Sequence, residues 1–296
     1  MSRTQAMLLV LLGGSFMSTV GLYMKLLEQA HAFQILFFRS LSLSVIVALV
    51  CCLRRGIGPI ALLRSLDRSD LWMGITLSIA FTFYIFAMLN TSVASTLFIL
   101  TASPFLAAII GWLWIGERPK SVTWVAMIFA ASGIGLMVQA GLSLGQSFGN
   151  AMAFLAALFF ALMLVIARRS GKDDVLGGTL VGGFCCILIG AVMMGLLGLS
   201  LSIDPRELSI ILIMGAFGIG IGIAFVTWGT GYLPAAEVSL LVLIESVLGP
   251  LWPWIFLGQA MSTYEMLGGA LVLMSVVVFA LSSKEKNANP VEVGNL

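Results

Sequence analysis

Long apolar runs, interrupted at near-regular intervals by charged and turn-forming residues, dominate this 296-residue chain. The interruptions mark out ten apolar segments, about 4–25, 32–53, 70–89, 93–115, 121–140, 149–167, 175–199, 208–230, 236–257 and 263–282. Two divisions fall inside uncharged stretches. The run from Leu71 to Gly116 is too long for one helix and breaks at Asn90-Thr91-Ser92. The run from Ser121 to Ala167 breaks in the Gly- and polar-rich stretch from Gly141 to Asn150. A helix crossing a hydrocarbon core of about 30 Å uses about 20 apolar residues, which is the length that recurs here. The pattern predicts an all-α integral membrane fold of ten transmembrane helices, with connections too short for a sizeable soluble domain. The first apolar run, reaching Tyr23, exceeds the usual signal-peptide core and is followed by no small-residue cleavage pattern, so a retained helix is expected.

Composition strengthens this reading. Hydrophobic residues make up 60% of the chain and charged residues 9%, against about 45–50% and about 25% in soluble domains. The net charge of +2 comes from scattered cations and gives no basic patch for nucleic acid. The four cysteines stand as two adjacent pairs, Cys51-Cys52 and Cys185-Cys186, inside apolar runs, and read as small buried residues. His31 is the single histidine, so neither a His-based metal site nor a Ser/His/Asp triad is expected. Gly218-Ile-Gly-Ile-Gly222 lacks nucleotide-loop spacing, and no cofactor is expected.

The cations give a topology. Placing the N-terminus in the cytoplasm puts Arg3, Arg54, Arg55, Arg64, Arg68, Arg118, Lys120, Arg168, Arg169, Lys172, Lys284 and Lys286 on one side, twelve of the fifteen. Cytoplasmic loops carry such an excess. Both termini are therefore expected inside, in a bacterial-type inner (plasma) membrane. Residues 91–138 also align with 233–280 at a shift of 142, pairing Ala94 with Ala236, Trp112 with Trp254 and Gly116 with Gly258. Gly116-Glu-Arg-Pro-Lys120 is basic, while its counterpart Gly258-Gln-Ala-Met-Ser262 has no cation. A shift of five helices inverts the second copy, and its loop then belongs on the other side. The expected domains are residues 1–140 and 149–283, two inverted five-helix repeats, followed by a cytoplasmic tail over 284–296.

With these features in place the chain resembles the EamA family of the drug/metabolite transporter superfamily. The first half carries Ala94, Pro104 and Gly116-Glu117-Arg118, the second Ala236, Glu245 and Gly258-Gln259, and Phe38-Arg39 resembles the aromatic-Arg pair common there. Gln259-Ala260 departs from the usual Glu-Arg, and Ser246 stands where proline often follows the glutamate, with Pro250 further on. The resemblance extends to about Ser283. It implies a transporter with a central cavity between halves, commonly an exporter of amino acids or related metabolites, and no enzymatic activity.

Charges inside a span cost at least about 2.5–3.5 kcal/mol, so each requires a reason. Arg39 lies about seven residues into the second segment, roughly 10 Å deep at 1.5 Å per residue. It either faces the cavity and holds a substrate carboxylate, or is a packing or snorkelling arginine paired with backbone carbonyls. Glu245, near the middle of the ninth segment, either binds a substrate ammonium or a coupling proton or bonds a neighbouring helix. Pro104, Pro250 and Pro253 are hinge candidates, or simply the prolines that membrane helices tolerate. Tyr84 and Trp228, within the aromatic clusters Phe81–Phe86 and Phe225–Tyr232, either stack on substrate or face lipid, as Trp72, Trp112, Trp114, Trp252 and Trp254 are expected to do. Ser103, Thr82, Asn90 and Thr227 are further lining candidates. The expected function is export of amino acids or similar amphipathic metabolites by alternating access. Uptake of a vitamin or nucleotide-type solute, or a non-transporting accessory role, stands as the alternative.

Overall fold

A computed structural model describes residues 1–91, 93–138, 147–172, 175–258 and 263–285. Its helices form ten spans. They run over Arg3–Met17 with Val20–Lys25; Ala32–Arg55; Arg68–Asn90; Val93–Leu100 with Ala102–Ile115; Ser121–Val138; Ser147–Arg169; Leu176–Leu196; Pro205–Ile213 through Gly222–Thr230; Ala235–Val242 with Ile244–Leu257; and Thr263–Glu285. Seven of these are long and apolar enough to cross a membrane, and shorter apolar helices at Ala102–Ile115, Ser121–Leu136 and Met266–Phe279 complete the ten. A short helix, Pro59–Arg64, joins the second and third spans, and no strand occurs among the described residues. The loop 259–262 and the tail from residue 286, on which two of the sequence expectations fall, lie outside them.

Helix ends are set by local chemistry. Ser2 and Gln5, and Asp67 and Asp70, form reciprocal capping boxes at the starts of the first and third spans. His31 is absorbed in the same way: its Nδ1 accepts from the Phe33 N–H at 3.3 Å, opening the second span. Gly56 (φ 62°) and Gly116 (φ 79°) end the second and fourth spans in the left-handed conformation that only glycine adopts without strain.

Lipid tails are as apolar as leucine, so helices associate through close packing rather than hydrophobic exclusion. The first span packs on the eighth and the sixth on the third; the third packs on the seventh and the eighth on the second; the second and seventh, fourth and ninth, and fifth and tenth pair directly. Moving every span by five returns the same set of pairs, which is the two-repeat arrangement. Glycines permit these approaches. A Cβ at Gly13 would lie 2.6 Å from the Gly222 carbonyl, and one at Gly215 would collide with the carbonyl of Arg39. Outward-facing Leu53, Leu113, Leu188 and Phe256 are exposed, as a lipid-facing surface requires. Trp72, Trp112, Trp114 and Trp254 are exposed too, with Arg118 over the Trp112 ring at 5.9 Å and Arg169 over Trp114 at 4.7 Å. Trp252 turns inward instead, and its Nε1 donates to Ser18 Oγ at 2.7 Å.

Candidate functional site

Two spans are broken at their middles. The fourth breaks at Thr101 and the ninth at Leu243, positions related by the same shift of 142 that aligns the repeats. Both residues take nearly the same backbone, φ −65° and ψ −11° at Thr101, φ −59° and ψ −10° at Leu243. The flattened ψ tightens the turn toward the 3₁₀ pattern. In the fourth span the cause is Pro104, which has no N–H for the Leu100 carbonyl. In the ninth, Ser246 takes the place of the proline, and its N–H bonds the Leu243 carbonyl at 3.0 Å. Pro250 sits within the continuous helix Ile244–Leu257, seven residues past Leu243, and does not produce the break.

The breaks face one another across a central cavity of about 60 Å³, lined by Phe81 and Tyr84 of the third span, Ser103 of the fourth, Ile219 of the eighth, and Ser239, Glu245 and Ser246 of the ninth. Small-molecule sites usually measure about 300–1,000 Å³, so this one must widen to admit a metabolite. Ser103 and Ser239 share a buried hydrogen bond of 2.8 Å that ties the two broken spans together. Glu245 is 9% exposed, and its Oε2 has no hydrogen-bond partner among the described residues.

Arg39 does not line this cavity. It is fully buried behind Phe81, with its guanidinium carbon 4.9 Å from the ring centroid, and none of its three guanidinium nitrogens has a hydrogen-bond partner among the described residues. Its burial excludes snorkelling to the membrane surface. Tyr84 stands within electrostatic reach of both Arg39 and Glu245. Beside it the eighth span runs as π-helix from Met214 to Ile221, a distortion frequent at functional sites.

The structure thus brings Tyr84, Ser103 and Glu245 together and sets Arg39 one side chain away. Trp228 is elsewhere: Arg54 lies 3.5 Å over its ring. Thr82 and Asn90 bond carbonyls of their own helix, and Thr227 bonds Thr179 at 3.1 Å. Sequence reasoning missed Ser239 and Ser246, although the repeat maps Ser103 onto Glu245 and so pointed to this stretch of the ninth span.

Ion pairs join the halves on the face that holds the N-terminus. Arg3 meets Glu237 at 2.6 Å, Arg168 meets Glu117 at 2.8 Å, and Lys172 meets Asp67 at 2.7 Å and Asp70 at 2.9 Å. On the opposite face Glu207 accepts from the backbone N–H groups of Glu28 and Gln29 at 2.8 and 2.9 Å. Asp67 lies outside the spans, and its carboxyl is lowered to about 2 by the hydrogen bond from Lys172, assisted by the Asp70 N–H.

Inverted repeats that meet on broken helices around a mid-span cavity holding a buried carboxyl define a membrane transporter. The model of the EamA-like transporter family matches residues 4–139 and again 147–281, and the chain belongs to that family. Solute carrier family 35 member G1 from Homo sapiens is 25% identical over 286 residues, 91% of this chain and 77% of that one. A protein from Streptantibioticus cattleyicolor, named a probable terminal-alkyne amino-acid exporter, is 31% identical over 77 residues, 26% of each chain. One crystal structure superposes with a TM-score of 0.79 at 19% identity, over 96% of this chain and 99% of that one, and shows the shared fold.

Proposed function

We propose that this protein is a secondary transporter that exports amino acids or closely related amphipathic metabolites by alternating access, with both termini cytoplasmic in a bacterial-type inner membrane. The observation that carries the reading is the pairing of unpartnered ionisable groups at the junction of the halves: the Glu245 carboxyl in the cavity wall and the Arg39 guanidinium one ring behind it. A buried charge without a partner is costly, and a zwitterion supplies a partner for each: its ammonium for Glu245 and its carboxylate for Arg39. Phe81 has to turn aside for the second contact, which makes it the positioning residue of the site. Tyr84, Ser103 and the apolar wall hold the remainder. The amino-acid exporter among the relatives favours this substrate class, over a short match. Thr101 and Leu243 are the places where the two halves bend. Glu245 also carries a coupling proton when the cavity empties.

The test is transport in proteoliposomes loaded with a panel of amino acids. Glu245→Gln, which keeps the shape and removes the charge, is expected to slow counterflow by about tenfold or more, the scale of one charge-assisted hydrogen bond. Wild-type rates with both Glu245→Gln and Arg39→Met would sink the assignment.

A further inference from the structure

The roomier polar cavity of this molecule is not the central one. A space of about 180 Å³ opens on the N-terminal face, where the two halves meet, walled by Ala107, Gly111, the loop Glu117–Lys120, Thr123, and Pro234–Glu237. Its two carboxylates are already engaged, Glu237 by Arg3 at 2.6 Å and Glu117 by Arg168 at 2.8 Å. Arg118 and Lys120 therefore leave the walls with an excess of positive charge, Lys120 within electrostatic reach of Glu237. One helix begins here: Ala235 opens the ninth span behind Pro234, which provides no side-chain cap. The first N–H groups of a helix have no partners within it and favour an anion. Finally, Thr123 is 1% exposed, lines the space, and its hydroxyl has no hydrogen-bond partner among the described residues. A surplus of cations, a helix start and an unsatisfied buried hydroxyl converge on one volume between the halves.

We infer that this vestibule is a docking site for the carboxylate of a small solute, held by Lys120, the Thr123 hydroxyl and the N–H groups that open the ninth span. The inference rests on the transport reading of the central cavity, to which the vestibule is the approach. A carboxylate seated beside Lys120 competes with Glu237 for Arg3 and with Glu117 for Arg168. Docking therefore loosens two of the ion pairs that bind the halves on this face.

The experiment follows thermal unfolding of the full chain in phosphatidylcholine nanodiscs, since a ligand of the folded state raises its apparent stability. The probes are L-leucine, isocaproate, which lacks the amine, and isoamylamine, which lacks the carboxylate. All titrations use an Arg39→Met, Glu245→Gln background, so that neither a carboxylate nor an ammonium at the central site registers. Leucine and isocaproate should raise the melting temperature and isoamylamine should not. Adding Lys120→Gln and Thr123→Val should weaken isocaproate by about tenfold or more, and Lys120→Arg should retain it. The vestibule is ruled out if isocaproate gives no shift in the Arg39→Met, Glu245→Gln protein, or if the added substitutions leave the shift intact. Loss of the shift in phosphatidylglycerol nanodiscs would assign the same residues to an anionic lipid headgroup and overturn the solute reading. If the isocaproate shift persists while Arg39→Met transports like wild type, the central assignment fails and the vestibule stands.

Discussion

A guanidinium sealed inside a bundle with no hydrogen-bond partner among the described residues, as at Arg39, lowers the stability of the fold that contains it. Removing it should separate stability from function. Arg39→Met, similar in length and apolar, is expected to raise the melting temperature, by about 2–4 °C for each kcal/mol relieved, while reducing transport. A lower melting temperature would mean that the arginine is structural. Arg39 and Glu245 were visible in the sequence because a charge in an apolar run is conspicuous. Ser239 was not, because serines are ordinary in membrane helices and only its 2.8 Å bond to Ser103 distinguishes it. Trp228 looked equivalent to Tyr84 by composition. The stack under Arg54, a contact with another helix, sets it apart.

At the level of the helix, the broken fourth and ninth spans share a conformation but not a cause. Pro104→Ala restores a donor for the Leu100 carbonyl, so the fourth span should straighten while the ninth keeps its turn at Leu243. Spin-label distances between the ends of each span would register this, and transport should slow with the fourth span rigid. An unchanged fourth-span distance would show that packing, not the proline, imposes the break. The eighth span depends on Gly215 in another sense. Gly215→Ala places a methyl against the carbonyl of Arg39, so it should lower the melting temperature and displace the second span together with its arginine. Proline content drew attention to Pro104 and Pro250, whereas the breaks themselves fall at Thr101 and Leu243. Nothing in the residues around Leu243 announces a break; its counterpart in the other repeat does.

Across the whole molecule, the ion pairs Arg3–Glu237, Arg168–Glu117 and Lys172–Asp67/Asp70 cross from one half to the other on a single face. Part-buried pairs of this kind are individually modest, but three at one seam bias which face opens. Arg3→Gln with Arg168→Gln should increase the labelling rate of a cysteine placed at Ala236, in a background without the native thiols, severalfold. No increase would show that helix packing alone closes this face. Acid should act on the same seam. Because the Asp67 carboxyl is held at about 2, below the usual value of about 3.9, its contribution is fully present above that usual value. It is lost as the pH falls toward 2. Asp67→Asn should flatten this acid limb of an unfolding profile, and modestly, since the group is half exposed.

The sequence by itself determined the number of spans, because it follows from transfer of residues between water and lipid, a property of each residue taken alone. It also determined the doubling of the chain, through the shift of 142. The tertiary structure decided which of these residues meet. It placed Arg39 behind Phe81, joined Ser103 to Ser239, aligned the breaks at Thr101 and Leu243, and gathered Lys120 and Thr123 around a second cavity. Those are distances between helices far apart in the chain, set by how glycines and side chains interlock, and no single apolar run encodes them.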